Sequence, residues 1–106
     1  MNSERLKQLF TFLKDEPKDP FILYAIATEY NGNEPQEALK YFEILLEDHP
    51  DYLATYYHAA NLFVDFDQAE RAEATFKKGL ELAIKQGNSL AHRELQNAYN
   101  QFLFEE

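Results

Sequence analysis

Three histidines, His49, His58 and His92, have the readiest metal and proton chemistry in this sequence. No two of them stand three or four residues apart, the spacing that sets a pair of imidazoles on one helical face to grip a metal. The run Asp65-x-Asp67-x2-Glu70 offers carboxylates like those of a calcium loop, but without the third oxygen ligand, the glycine or the distal glutamate of that motif. Asp67 and Glu70 read better as a capping box, in which each side chain satisfies a free amide at the start of a helix. Catalysis has no firmer foothold. There is no cysteine, no glycine-rich phosphate cradle, no G-x-S-x-G elbow, and no serine or threonine with a motif-defined base. The expectation is therefore no metal, no cofactor and no enzymatic activity. Recognition remains, through tyrosines and asparagines: Tyr offers large contact area at low rotamer cost, and Asn pairs with a peptide backbone in both directions.

The composition bounds what can position such residues. A chain of 106 residues has room for one core, and 9 Phe with 7 Tyr supply too much apolar bulk for a disordered chain. Ten Lys and Arg against 19 Asp and Glu leave a net charge of −9, the wrong sign for a phosphate backbone or an anionic membrane. Neither nucleic acid nor membrane is expected as a partner. The opening residues carry no hydrophobic leader and no apolar run approaches a membrane span, so a cytoplasmic location is expected.

Apolar residues recur at three- and four-residue spacing between sparse Gly and Pro, which predicts six helices and no strand. The first covers about Ser3 to Lys14, with Leu6, Leu9, Phe10 and Leu13 on one face, and stops before Pro17. Asp19-Pro20 opens the second, the Asp as cap and the proline where its missing donor costs nothing. It ends near Asn31-Gly32. The third follows Pro35 to about Asp48, where an imidazolium at His49 would suit the negative helix end. The fourth spans about Tyr52 to Asp65, and the fifth opens at the Asp67 box and closes at Gly87. The sixth, about Asn88 to Phe104, presents Ala91, Leu95, Ala98 and Phe102 as a stripe widened by Tyr99 and Leu103.

These elements repeat. Leu23, Ala27 and Tyr30 recur 33 positions on as Tyr56, Ala60 and Phe63, while Ala38 and Phe42 recur 34 positions on as Ala72 and Phe76. The one-residue difference falls in the turn between the two helices of each unit. Small residues suit close approach: Ala27 and Ala60 within a helix pair, Ala38, Ala72 and Gly79 between pairs. Leu23-x2-Ile26-Ala27-x2-Tyr30, Ala38-x3-Phe42 and Pro50 form one unit; Tyr56-x2-Ala59-Ala60-x2-Phe63 and Ala72-x3-Phe76-x2-Gly79 form the next, with Ile84 where a closing proline would stand. The pattern resembles the tetratricopeptide repeat, a helix–turn–helix unit of 34 residues. That resemblance implies an all-α fold, a right-handed α-solenoid of antiparallel helix pairs. It divides the chain into a half repeat at 3–17, repeats at 20–52 and 53–86, and a capping helix at 88–104, together one domain.

A second stripe on the first helix of each repeat lies about 100–140° from its packed face. It comprises Phe21, Tyr24, Thr28 and Asn31, then Ala54, Tyr57, Asn61 and Val64 flanked by His58 and Asp65. On the sixth helix the corresponding positions are His92, Gln96 and Tyr99. The family resemblance implies that such helices line a concave groove for an extended peptide or a partner helix. Members that capture acidic carboxy termini use Lys, Arg and Asn there, and this stripe has Asn31 and Asn61 but neither Lys nor Arg. The expected role is noncatalytic binding of an apolar or basic protein segment. Packing of Tyr24 and Tyr57 on one another is the competing explanation of those two tyrosines. The acids Glu29, Glu34, Glu37, Glu43, Glu47, Asp48 and Asp51 read either as a solvated convex face or as attraction for a basic partner. Self-association as a homodimer through Phe12 and Phe104 is the alternative function.

Overall fold

The computed structural model describes residues 2–105. Its six helices are α1 (Ser3–Asp15), α2 (Pro20–Tyr30), α3 (Pro35–Asp48), α4 (Ala54–Asp65), α5 (Ala69–Lys85) and α6 (Ser89–Glu105), with no strand among the described residues. Packing divides them into two units, one ending at Tyr52 and the other beginning at Leu53.

In the first unit, side-chain caps set the starts of α1 and α2, while α3 opens on Pro35 without one. Asn2 accepts from the Arg5 amide at 3.0 Å, and Asp19 accepts from the Phe21 amide at 2.9 Å with Pro20 in the first turn. Arg5 Nε lies 3.1 Å from Glu29 Oε1, and the Asn2 amide donates to Glu29 Oε2 at 3.0 Å. These contacts join the start of α1 to the end of α2, so the two helices run antiparallel. α2 is buried on both sides: Ile22, Ala25 and Ile26 join Leu6 and Leu9 of α1 in one cluster, with Phe10, Leu13, Tyr30 and Tyr41 packed around it. Tyr41 of α3 lies 6.2 Å from the Tyr30 ring and 6.3 Å from the Phe10 ring, linking all three helices. Ala27, Ala38 and Phe42 are fully buried. A side chain the size of Phe42 contributes about 1.5–3 kcal/mol by leaving water.

In the second unit, Tyr56, Ala59, Ala60 and Phe63 of α4 and Ala72, Phe76 and Ala83 of α5 are buried. α6 closes it with Leu95 and Phe102, and Phe76, Tyr99 and Phe102 form a ring cluster with centroids 5.5–6.3 Å apart. The Tyr99 hydroxyl donates to Glu73 Oε1 at 3.1 Å.

Four expectations need correction. Asp67 does not cap α5: Gln68 holds the cap position and makes no side-chain capping bond. Asp67 instead has φ +59, its amide donating to Val64 O at 3.0 Å and that of Gln68 to Phe63 O at 2.8 Å. This pair of bonds is the Schellman closure of α4, and the carbonyls it satisfies outweigh the box that the spacing suggested. α4 starts at Ala54, two residues after Tyr52, because Tyr52 donates its amide to His49 O in the turn and turns its ring to Tyr24. Leu103 is exposed and does not widen the α6 stripe. Gly79 meets Tyr56 within its own helix pair as well as Leu95 of α6, so it serves more than contacts between pairs.

The one-residue offset between repeats has a structural form. α2 ends at Tyr30 in a turn where Gly32 has φ +97 and the Asn33 and Glu34 amides both donate to Tyr30 O. α4 runs on to Asp65 and closes by the Asp67 turn.

Candidate functional site

The first-helix stripe of the first unit begins with Phe21, a residue 67% exposed that Asp19 and Pro20 hold in the opening turn of α2. Tyr24, one turn on, is half-buried. Its ring meets Phe42 edge-on at 6.2 Å and Tyr52 at 5.6 Å. Burial pushes the Tyr24 hydroxyl above its ordinary pKa, and Tyr52 adds to the effect. Tyr52 is raised by burial first and by the Asp19 carboxylate second. Thr28 turns its hydroxyl inward to donate to Ala25 O at 3.0 Å, and Asn31 sits half-buried at the end of α2. Of these four, Phe21 is the most exposed and Tyr24 is a packed, half-buried residue.

On α4 of the second unit, Ala54 and Tyr57 are exposed, Tyr57 at 39%, while Thr55, Tyr56, Ala59 and Ala60 beside them are buried. The Tyr57 ring stands edge-on to His58 at 5.5 Å. Asn61 donates its side-chain amide to Tyr57 O at 3.0 Å, which fixes the rotamer one turn below the tyrosine. His58 is half-buried. Burial holds its imidazole below the ordinary value, against the upward pull of Glu94 on α6. Val64 is half-buried and Asp65 exposed at the end of the helix. Tyr57, His58 and Asn61 are thus brought together, with Val64 and Asp65 a turn further on. On α6, His92, Gln96 and Tyr99 are half-buried, and Tyr99 belongs to the core cluster with Phe76.

Among the described residues no group of three His, Cys, Asp or Glu side chains is arranged to hold a metal ion. No helix there is long and apolar enough to cross a membrane. Spacing alone did not reveal the role of Tyr52, which lies outside any helix, nor a hollow of about 370 Å³ where α5 meets α6. Phe12 and Phe104, the anchors of the self-association alternative, are 54% and 92% exposed.

No family model matches the sequence, and no curated protein matches it. Solved structures do match. The crystal structure of a tetratricopeptide repeat domain protein from Salinibacter ruber aligns at 37% identity and a TM-score of 0.78, over 83% of this chain and 100% of that one. The solution NMR structure of a tetratricopeptide repeat domain protein from the same organism gives 37% identity and a TM-score of 0.77, over 85% and 92% of the two chains. The chain belongs to the tetratricopeptide repeat family. The buried positions fit this membership: Leu23, Ala27, Ala38 and Phe42, with Tyr56, Ala60, Ala72 and Phe76, are the signature positions of the tetratricopeptide repeat and are all withdrawn from water. Tyr30, the remaining large position, is half-buried where its counterpart Phe63 is 1% exposed. A tetratricopeptide repeat fold generally serves as a noncatalytic scaffold for protein interaction.

Proposed function

We propose that this tetratricopeptide repeat protein is a noncatalytic binding module of the cytoplasm, an adaptor for an extended peptide or a helix of a partner, with candidate contact faces on α2 of the first unit and on α4 of the second. The half repeat at 3–17, the repeats at 20–52 and 53–86 and the cap at 88–104 form the scaffold for those faces in this reading. The observation that carries it is Tyr57, a large aromatic left 39% exposed on a helix whose neighbouring Thr55, Tyr56, Ala59 and Ala60 are buried. Asn61, bonded to the Tyr57 carbonyl, and His58, against its ring, would frame the contact, and Phe21 would supply the corresponding anchor on α2. The stripe has no Lys or Arg and the whole chain carries −9, so apolar or basic segments are favoured over acidic ones.

Selection from a random peptide display library tests the proposal. Recovered peptides should combine apolar residues with Lys or Arg, and Tyr57→Ala, with helicity intact by circular dichroism, should lose them. Recovery of acidic peptides, or equal binding by wild type and variant, would place recognition on another surface.

A further inference from the structure

A second pair of surfaces shares only Phe21 with the α2 and α4 stripe. Where α5 ends and α6 begins, Ala83, Ile84, Gly87, Asn88, Ser89 and His92 line the 370 Å³ hollow. Ile84 on its wall is 69% exposed, and Leu90, which follows the lining residue Ser89, is 58% exposed. Segment 77–93 carries Lys77, Lys78, Lys85 and Arg93 against Glu81 alone, a local +3 in a chain of net −9. Lys78, Lys85 and Arg93 have no ion-pair partner among the described residues. An apolar hollow within a segment that carries these cations calls for an apolar anchor flanked by carboxylates.

The first unit has that chemistry at one end. Its helices alternate in direction, so the end of α1, the start of α2 and the end of α3 lie together there. Phe12 and Phe21 project 54% and 67% exposed at this end, among Asp15, Glu16, Asp19, Glu47, Asp48 and Asp51 with only Lys14 and Lys18 opposing them. We infer that the occupant of the α5–α6 hollow is a second copy of this chain, which presents its Phe12/Phe21 end to the Ile84/Leu90 corner of the first. Two different surfaces then meet, a head-to-tail contact that leaves one of each free on the pair.

The test uses the full chain in sedimentation equilibrium across a concentration series. The average mass should rise above 12.5 kDa with concentration, and the apparent dissociation constant should rise at least about tenfold when salt shortens the Debye length from about 8 to about 3 Å. Ile84→Glu and Phe12→Lys, both at exposed positions, should each be monomeric alone. Mixed, they should form a one-to-one pair and stop there, because each retains the surface the other has lost. A wild type that stays at monomer mass at every concentration overturns the inference. Variants that still associate alone, or that fail to pair when mixed while circular dichroism shows both folded, overturn it equally.

Discussion

Gly79 of α5 and Tyr56 of α4 share a single space: a Cβ added to Gly79 would stand 2.7 Å from the Tyr56 Cβ and 3.2 Å from Leu95 Cδ1 of α6. The Tyr56 Cβ is tied to its backbone and cannot swing aside as the end of a long side chain could. The corresponding positions in the first repeat are Leu45 and Leu23. A large residue against none in one repeat thus stands where two medium ones stand in the other.

Gly79→Ala should therefore destabilise, although alanine favours a helix by about 1 kcal/mol over glycine. Overpacking of roughly 1–3 kcal/mol opposes that gain. Chemical denaturation should show a net loss of about 1 kcal/mol. A gain in stability would mean that α4 and α5 separate freely at this point.

Asp67 and Gly87 close α4 and α5 by the same pair of bonds, and both have positive φ, +59 and +67. Glycine adopts that conformation without steric cost. Asp67→Gly should stabilise by about 0.5–1 kcal/mol and Asp67→Val should destabilise by about 1–2 kcal/mol. Thermal melts of the two variants beside wild type check the signs.

Thr55 is fully buried on α4, and its hydroxyl oxygen finds no hydrogen-bond partner among the described residues. Thr55→Val keeps the shape and removes the stranded polar atom. Unfolding in urea should show a gain of about 1 kcal/mol. A loss would reveal that the hydroxyl is satisfied after all.

The two stripe tyrosines should part company on truncation. Tyr24→Ala removes a ring held between Phe42 and Tyr52 and should cost about 2 kcal/mol or more. Tyr57→Ala, at an exposed position, should cost less than about 1 kcal/mol. Denaturation midpoints of the two variants give the comparison, and equal losses would contradict it.

Burial holds folded His58 below its ordinary value of 6.5, with Glu94 acting in the opposite sense. As pH falls, the unfolded chain therefore takes up this proton before the folded one does. The stability associated with neutral His58 is complete above 6.5 and is lost as pH drops through the folded value. Wild type should lose more stability than His58→Gln between about pH 7.5 and pH 5.5, read from denaturation curves at both pH values. Parallel losses would show that His58 titrates alike in both states.

Local chemistry made most of the helix map legible in the sequence. Asp19-Pro20 opens α2, Pro35 starts α3 and Gly87 closes α5, because caps and proline act within a turn of where they stand. The recurrence of Leu23, Ala27 and Phe42 as Tyr56, Ala60 and Phe76 placed the chain among helix-pair repeats, since a repeated pattern of large and small residues demands a repeated packing. The stripe from Phe21 to Asn31 and from Tyr57 to Asp65 follows from helical periodicity alone.

Tertiary structure decided what the residues on those helices touch. Asp67 could serve the start of α5 or the end of α4, and the closing bonds of α4 chose the latter. Tyr24 is packed because Tyr52, distant in sequence, turns its ring onto it, while Tyr57 one repeat on stays exposed. Gly79 is required because α4 and α5 approach there to within a methyl group. Contacts of this kind depend on the distance between helices, a quantity that periodicity along one helix does not contain.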